Sequence, residues 1–254
     1  MTHDIQQDGI NIFHGLSNEL PLNIGTPQQR ETKLGEDRCK YLVTIHDLIF
    51  IHTPQYYHWI DRKIYNYKFR RACQCADRVI AVSEYTKQEI MHYYHTPEEK
   101  IDVVYQGCDP VFAQDIESSK QEEVKQKYQL PDQYVLYLGR ITPSKTTRVI
   151  PDFLRYKKEH GGEIKLVMVG GTELDIERSD SPDIIFTGYV SDEEKSAIIR
   201  HATVMVNPSR MESLSLLMLE AMQNRVPLLV NGRSRVMKDH CKSSGAAFWY
   251  DSSR

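Results

Sequence analysis

Two glutamates, Glu212 and Glu220, have the spacing in this sequence that is most specific for chemistry. A carboxylate accepts two hydrogen bonds, so each glutamate is suited to holding a pair of sugar or ribose hydroxyls. Apolar residues recur after Glu212 at three- and four-residue intervals, which predicts a helix that begins at Ser213. Taken alone, this spacing is more often explained by an ordinary amphipathic helix, with Glu212 near its start and Glu220 on its exposed face.

The start of this predicted helix is polar and rich in hydroxyl groups. It follows a predicted strand at residues 204–206 and a turn at Asn207 and Pro208, and a further strand is predicted at residues 227–230. The first backbone N–H groups of a helix have no intrahelical partner, so together they favour an anion such as phosphate. The amides concerned are those of Ser213, Leu214, Ser215 and Leu216.

Two cations follow another predicted strand, at residues 134–138. Gly139 permits a tight exit from that strand, and Arg140 and Lys145 come soon after it. An arginine fork and a lysine point charge can together neutralise a diphosphate. Cations in loops are more often simply solvated, so the pair predicts a phosphate site only in combination with the glutamate segment.

A histidine also stands at the end of a predicted strand. Residues 41–45 are a buried-strand pattern that runs directly into His46 and Asp47. The carboxyl ends of strands in open α/β sheets are where ligand-binding groups lie. His46 can exchange a proton or hydrogen bond near neutral pH, although a histidine satisfied by neighbouring backbone explains the position equally well.

Composition narrows the classes of protein. The 254 residues carry a net charge of −3, with 40% hydrophobic and 26% charged residues, which is ordinary for a globular protein and gives no electrostatic case for nucleic acid. No apolar run approaches the ~18–20 residues of a membrane span, and no signal-peptide core is present, so a cytoplasmic protein is predicted. The five cysteines are scattered, and no Asp-x-Asp pair occurs, so we expect no disulfide framework, no metal and no cofactor.

The most basic stretch runs from Arg62 to Arg78, and most of it belongs to a helix predicted over residues 56–75. Ile60, Ile64, Tyr67 and Arg71 are predicted to trace one side of that helix. The basic residues predict either peripheral contact with a membrane or an acidic acceptor, or simply a solvated helix face.

Strands and helices alternate along the whole chain, which predicts an α/β protein with parallel sheets. The predicted helices include residues 84–94, capped by Ser83, residues 149–160, ended by Gly161, and one that starts at Ser191 with acidic residues in its first turn. Residues 1–8 are polar and are expected to be loose. Residues 110–130 are polar and are the best candidate linker. We therefore predict two Rossmann-like domains, one over residues 1–115 and one over residues 116–254.

These motifs resemble those of glycosyltransferase family 4, whose members are retaining enzymes with the GT-B fold. The resemblance rests on Glu212-x7-Glu220, on Gly139-Arg140-x4-Lys145 and on the strand that ends in His46. The usual family loop has glycines after the first glutamate, where this chain has Ser213-Leu214-Ser215. The resemblance covers almost the whole chain. The resemblance does not include the family's opening strand and the glycine-rich loop after it, so the N-terminal domain is expected to be incomplete. It does not include the family's C-terminal helix either.

The resemblance implies a role for each matching residue. His46 and Glu212 would contact the transferred sugar as catalytic residues, and His14 matches an earlier strand-end motif on the acceptor side. Glu220 would hold the ribose, and Gly188 and Tyr189 would lie against the nucleotide base. Arg140, Lys145 and the four amides would hold the diphosphate. Tyr189 is equally well explained as a core aromatic residue.

The resemblance implies metal-independent transfer of a hexose-type sugar from a nucleotide-diphosphate sugar to a glycan or lipid-linked acceptor, as in bacterial polysaccharide biosynthesis. Two alternatives stay open. One is a non-catalytic nucleotide-sugar-binding remnant or scaffold with an incomplete first domain. The other is an epimerase of the same fold, which the combination of motifs favours less.

Overall fold

The computed structural model describes residues 2–31, 39–141, 148–171, 180–242 and 245–250. The chain forms two compact units, Met1–Gln106 with Glu212–Leu214, and Gly107–Met211 with Ser215–Arg254. Each unit has its own parallel sheet and its own apolar core. The predicted α/β class with two Rossmann-like parts is therefore confirmed, whereas the domain boundary between residues 115 and 116 stays a prediction.

The sheet of the first unit has four parallel strands in the order β1-β2-β3-β4 among the described residues. They are β1 Ile12–Gly15, β2 Lys40–Ile45, β3 Arg78–Ala81 and β4 Ile101–Val103. Three side chains of β2, those of Tyr41, Val43 and Ile45, are fully buried. Since parallel strands end at one edge, the polar residues after β1 and β2 lie at the same edge of the sheet.

The helices of the first unit are α1 Thr2–Gln7, α2 Pro27–Glu31, α3 Ile49–His52, α4 Trp59–Cys75 and α5 Glu84–Tyr94. The structure shows the predicted cap of α5, because Ser83 Oγ accepts a hydrogen bond from the Thr86 N–H. The polar first eight residues were expected to be loose, and this is wrong. Thr2–Gln7 form α1, whose Ile5 is buried in the core of this unit.

The side of α4 that carries Ile60, Ile64 and Tyr67 is exposed. Ile60, Ile64 and Tyr67 are 44%, 43% and 61% exposed. The helix instead buries Phe69, Ala72, Cys73 and Cys75. The sequence of α4 carries two apolar faces, and only packing against the sheet decides which of them is covered.

The sheet of the second unit has six parallel strands in the order β10-β9-β8-β5-β6-β7 among the described residues. They are β5 Tyr134–Leu138, β6 Lys165–Val169, β7 Ile184–Gly188, β8 Val204–Asn207, β9 Leu228–Asn231 and β10 Ala247–Tyr250. The central strand β5 buries Tyr134, Leu136 and Tyr137 almost completely. Strand β5 is therefore held on both sides, by β6 and by β8.

The helices of the second unit are α6 Ser118–Lys127, α7 Val149–His160, α8 Asp192–His201, α9 Leu216–Gln223 and α10 Arg235–Cys241. Helix α8 starts with a reciprocal capping box. The Glu194 N–H donates to Ser191 Oγ at 3.2 Å, and the Ser191 N–H donates to the Glu194 carboxylate at 3.2 Å. This start was expected from Ser191 and the acidic residues after it.

Loss of this capping box gives a modest, measurable prediction. We expect Ser191→Ala to lower the free energy of unfolding of the second unit by about 1 kcal/mol, because the Glu194 N–H loses its acceptor. Ser119→Ala, which removes an exposed serine in the first turn of α6, is the matched control and should cause no loss. Urea denaturation compares the two. Equal stabilities of the two variants would contradict the capping role.

Two further predictions of the sequence concern chemistry and membranes. All five cysteines are free thiols, and four of them are buried. Burial raises the pKa of the Cys73 thiol to about 12, so this thiol is unreactive at neutral pH. Among the described helices, none combines the length and apolarity that a membrane crossing requires.

Candidate functional site

In the second unit, Gly139 follows β5, Gly170 follows β6 and Gly188 ends β7. Hydrogen bonds hold the backbone at these three strand ends close together. The Gly139 N–H donates to the Val169 carbonyl and the Gly170 N–H to the Gly188 carbonyl, both at 3.0 Å. Gly170 has φ +134°, and a Cβ on it would lie 2.1 Å from the Gly139 carbonyl oxygen. There is therefore no room for a side chain at Gly170. Gly170 lies at the carboxyl edge of the sheet, where open α/β sheets bind ligands.

Arg140 leaves this edge directly after β5. Gly139 precedes it with φ +128°, and a Cβ on Gly139 would lie 3.3 Å from the Leu217 side chain in the first turn of α9. The Arg140 carbonyl accepts the Tyr137 hydroxyl at 2.9 Å, while its side chain is exposed. The structure thus brings the start of the Arg140 loop next to the start of α9. Lys145 lies outside the described residues.

Helix α9 begins at Leu216, so the prediction that it begins at Ser213 is wrong. Ser215 is the N-cap, but its hydroxyl caps nothing in the helix and accepts from Asn207 Nδ2 at 3.0 Å. That bond ties the N-cap to the end of β8 and delays the first helical turn. Ser213 and Leu214 therefore precede the helix and group with the first unit. The roles of these amides in binding an anion stay predictions.

Glu220 is buried in the second turn of α9, with 8% of its surface exposed. The alternative that placed it on the exposed face of the helix is therefore wrong. One carboxylate oxygen, Oε1, accepts from Lys195 Nζ at 3.0 Å. The other, Oε2, is buried and has no hydrogen-bond partner among the described residues. Burial raises the pKa of Glu220, and the hydrogen bond from Lys195 opposes this.

A cavity of about 430 Å³ lies against this carboxylate. Its lining consists of Gly107, Cys108, Asp109, Leu216 and Glu220. A buried carboxylate oxygen without a partner costs free energy, which hydroxyl donors entering the cavity would recover. The cavity can therefore receive a small polyhydroxylated group.

Gly188 and Tyr189 end β7 at the same edge. Gly188 has φ +72°, a left-handed conformation that favours glycine. Tyr189 is 84% exposed, so the alternative of a core aromatic residue is wrong. The Tyr189 ring rests on the backbone of Gly171, since a Cβ there would lie 2.5 Å from the ring. The ring thus presents an open aromatic surface to solvent beside the glycine loops.

In the first unit, His46 is held by the loop after β1. Its backbone N–H donates to Asn18 Oδ1 at 2.7 Å, and its Nε2 is 2.8 Å from the Leu16 carbonyl oxygen. A carbonyl only accepts, so Nε2 carries the proton, and Nδ1 is the acceptor in the neutral ring. His46 is half-buried, which leaves this acceptor able to meet a hydroxyl.

His14 lies on β1, the strand next to β2. Its Nε2 is 2.8 Å from the Thr44 hydroxyl, and its side chain is exposed. His46 directly follows β2, the parallel strand that pairs with β1. No hydrogen bond joins the two rings among the described contacts.

Asp47 was not assigned to the site from the sequence, but the pKa of its carboxyl is raised in the structure. Burial is the largest cause that raises its pKa, and the Glu212 carboxylate raises it further. The Ile49 N–H, which donates to Asp47 at 3.0 Å, His46 and the Ser213 hydroxyl lower the pKa without cancelling that rise. Glu212 and Ser213, grouped with this unit, thus lie within electrostatic reach of Asp47.

The Asp47 shift predicts a pH dependence of stability. A carboxyl with a raised folded-state pKa stabilises the fold below its ordinary pKa, here 3.8, and this contribution is lost as the pH rises through the folded-state pKa. We expect the wild-type chain to lose stability relative to Asp47→Asn as the pH rises from about 4 to 7. The asparagine keeps the acceptor for the Ile49 N–H. Urea denaturation of both proteins at several pH values measures the difference, and a constant difference would contradict the assignment.

Two further residues lie around Glu220, and neither was assigned a role at this site from the sequence. Lys195 on α8 holds the glutamate, and Asp109 lines the cavity. Lys195 Nζ is also 3.0 Å from the Asp192 carboxylate, three residues earlier on the same helix. From the sequence alone, Lys195 is therefore expected only to form a common ion pair within its helix. No local signal in the sequence connects either residue to Glu220.

Two family models match this chain. One, described as Glycosyltransferase Family 4, matches residues 20–112. The other, described as Glycosyl transferases group 1, matches residues 132–244. Together they cover most of the chain.

A relative and two solved structures agree with these models. The O-antigen chain mannosyltransferase B of Escherichia coli is 30% identical over 74% of this chain and 52% of its own length. A crystal structure of a glycosyltransferase from Rickettsia africae has a TM-score of 0.70 at 18% identity, covering 99% of this chain and 65% of that one. An Anabaena HepE structure in complex with UDP has a TM-score of 0.66 at 15% identity, covering 85% and 60%.

The chain spans about half the length of the curated relatives it matches. The likeness to the two solved structures shows that this chain shares their fold. The two family models add the family itself. From its matched segments, its two parallel sheets and the motifs at their carboxyl edges, this chain belongs to glycosyltransferase family 4 and has the GT-B fold.

Proposed function

We propose that this chain acts in the transfer of a sugar from a nucleotide-diphosphate sugar to a glycan or lipid-linked acceptor, with retention of the anomeric configuration and without a metal. The family supports transfer of a glycosyl group. The similarity to the O-antigen chain mannosyltransferase B of E. coli supports a hexose as the transferred sugar and a bacterial polysaccharide as the product. We also propose that the chain acts in the cytoplasm.

The observation that carries the proposal is the buried Glu220 carboxylate. Its Oε2 has no partner among the described residues, and it borders a cavity of about 430 Å³. A ribose with two neighbouring hydroxyls supplies the donors that this oxygen lacks. The hydrogen bond from Lys195 opposes the rise in the pKa of Glu220 that burial causes. Glu220 is therefore assigned to the ribose of the donor nucleotide.

The diphosphate is assigned to the carboxyl edge of the same sheet. Arg140 supplies a charged fork, and Lys145, which lies outside the described residues, supplies a second charge. The amides of Ser215 and Leu216, which belong to the same unit, add neutral donors. These groups stabilise the negative charge that develops on the leaving diphosphate, which is an electrostatic contribution to catalysis.

The base is assigned to the loop at Gly188 and Tyr189. The exposed Tyr189 ring offers an aromatic face, and Gly188 leaves space beside it. The HepE structure of this fold was solved with UDP, which supports a uridine nucleotide as the first donor to test.

The sugar is assigned to His46 and Glu212. The Nδ1 atom of His46 is available as an acceptor because Nε2 donates to Leu16. Glu212 orients the sugar hydroxyls as a carboxylate. His14 is assigned to the acceptor side. For retention, the acceptor must attack the sugar on the face from which the diphosphate leaves, so the sugar must be held in one orientation. We assign this positioning role to His46 and Glu212.

A panel of UDP-, GDP- and dTDP-sugars tests the proposal. Ligand-dependent shifts in melting temperature identify the donors that bind. Release of nucleoside diphosphate with a lipid-linked acceptor then measures transfer. Binding together with transfer supports the enzyme, and binding without any turnover supports the alternative of a nucleotide-sugar-binding scaffold. A donor epimerised without an acceptor would support the epimerase instead.

A further inference from the structure

Lys195 on α8 makes contacts that join three elements of the second unit. Its Nζ is 3.0 Å from Glu220 Oε1 on α9 and 3.0 Å from the Asp192 carboxylate at the start of its own helix. The same ammonium lies 4.5 Å from the centre of the Phe112 ring, which is buried in the short helix Pro110–Ala113. With 19% of its side chain exposed, Lys195 is held by these contacts rather than left in solvent.

The contact with Glu220 gives the two oxygens of its carboxylate different surroundings. Oε1 accepts from Lys195, and Oε2, which is buried, has no hydrogen-bond partner among the described residues. Glu220 lines the cavity of about 430 Å³ together with Cys108 and Asp109. Oε2 is therefore the oxygen that remains for hydroxyl donors entering the cavity. Without Lys195 the carboxylate can rotate, and neither oxygen keeps a fixed direction.

Several titratable groups face the Glu220 carboxyl. Burial raises its pKa, the hydrogen bond and charge of Lys195 lower it, and the charges of Asp192 and Asp109 raise it further. Cys108 lines the same cavity, and burial, Glu220 and Asp109 raise the pKa of its thiol, which is therefore neutral at neutral pH. Burial lowers the pKa of Lys195, but its two carboxylate partners raise it overall, so Lys195 stays a cation. Lys195 thus opposes protonation of Glu220.

We propose that Lys195 is a positioning residue for donor recognition, which holds Glu220 as an oriented carboxylate for the two hydroxyls of a ribose. This inference rests on the proposed assignment of Glu220 to the ribose of the donor. A carboxylate accepts from two neighbouring hydroxyls, whereas a protonated carboxyl has a proton on one of its oxygens and accepts less well. Lys195 acts through Glu220 and does not itself contact the donor. Selection of a ribonucleotide over a 2′-deoxyribonucleotide therefore depends on both residues.

Discrimination between UDP and 2′-deoxy-UDP tests the positioning role, with GDP and 2′-deoxy-GDP titrated in parallel. In calorimetric titrations, the wild type should bind UDP about tenfold more tightly than 2′-deoxy-UDP, which corresponds to one hydrogen bond to a charged group. Lys195→Met keeps much of the side-chain length without the charge, and the ratio should fall to about threefold, as for a neutral partner. Lys195→Arg keeps the charge and should restore the wild-type ratio. An ion pair that only stabilises the fold would leave the ratio unchanged in all variants.

Lys127→Met is the matched control. Lys127 on α6 is 2.6 Å from the Glu194 carboxylate of α8, so this variant removes an ion pair of the same helix without changing the contacts of Glu220. Its ratio should equal that of the wild type. Glu220→Gln removes the charged carboxylate and should give the low ratio of Lys195→Met, and Lys195→Met/Glu220→Gln should lower it no further. Melting curves confirm that each variant is folded.

A measurement without nucleotide separates this inference from the proposed function. A carboxyl with a raised folded-state pKa stabilises the fold below its ordinary pKa, here 4.5, and this contribution is lost as the pH rises through the folded-state pKa. Removal of Lys195 raises that pKa further, so the loss extends to higher pH. From about pH 6 to 8, the urea midpoint of Lys195→Met should fall relative to Lys195→Met/Glu220→Gln by more than the wild-type midpoint falls relative to Glu220→Gln. Trp249 in β10 reports on the second unit in a Trp59→Phe background.

Two results would overturn the proposal. One is the same ratio of UDP to 2′-deoxy-UDP affinity in Lys195→Met and in the wild type. The other is the same pH dependence of the urea midpoint in both backgrounds, because Lys195 would then not hold the charge of Glu220. A wild type that binds UDP and 2′-deoxy-UDP equally, or binds no nucleotide, would overturn the assignment of Glu220 to the ribose, which belongs to the proposed function. The measurement without nucleotide still decides in that case whether Lys195 holds the charge of Glu220.

Discussion

Gly170→Ala is expected to destabilise the second unit by about 3–6 kcal/mol. The new Cβ would lie 2.1 Å from the Gly139 carbonyl oxygen, a distance at which the backbone must move. Gly170 also has φ +134°, which an alanine adopts only with strain. Because Gly170 donates its N–H to Gly188, any shift displaces the ends of β5, β6 and β7 together.

Gly162→Ala is the matched control for this prediction. Gly162 has φ +87° but nothing within 4 Å of its Cβ position, so it tests backbone strain without the collision. We expect a loss of about 1–2 kcal/mol there. Urea unfolding in a Trp59→Phe background, followed by Trp249 fluorescence, reports on the second unit. A Gly170→Ala loss no larger than that of Gly162→Ala would contradict the close packing of the three strand ends.

Arg140→Ala is expected to weaken binding of a nucleoside diphosphate about 10- to 100-fold, which corresponds to the loss of a hydrogen bond to a charged group. Lys145→Ala should act in the same direction. Glu220→Ala should weaken binding less than either cation variant, because the ribose keeps its other contacts. Calorimetric titration with UDP and GDP measures all three.

The residues assigned to the phosphates and to the ribose should also affect the preference for a nucleoside diphosphate over a nucleoside differently. Arg140→Ala should reduce the preference for a diphosphate over the nucleoside, whereas Glu220→Gln should weaken the diphosphate and the nucleoside by the same factor. Arg148→Ala is the control, since this exposed arginine pairs with Asp152 at 3.3 Å on α7. Unchanged affinity in both Arg140→Ala and Lys145→Ala would refute the diphosphate assignment.

Elements with strong local signals were predicted closely. Helices α5 and α7 have the predicted bounds, residues 84–94 and 149–160. Ser83 caps the start of the first, and Gly161, with φ +69°, ends the second. Capping depends on a few adjacent residues, so it can be recognised in the sequence without knowledge of the fold.

The misplaced start of α9 shows where local signals fail. The apolar spacing after Glu212 is helical, but the N-cap is Ser215, whose hydroxyl bonds to Asn207. That bond crosses from the strand to the helix start, and nothing in the spacing of apolar residues reveals it. The helix α1 was missed for a related reason, since Ile5 is a single apolar residue whose burial depends on the core it meets.

The sequence by itself determined the family, the alternation of strands and helices, and the residue types able to bind a nucleotide sugar, because motifs and periodicity are local properties. Only the tertiary structure decided which of these groups are buried and what they face. Glu220 became a buried acceptor through Lys195, and the apolar residues of α4 became an exposed face because the sheet took the other side of the helix. Burial depends on partners distant in the chain, and such partners meet only when the chain folds.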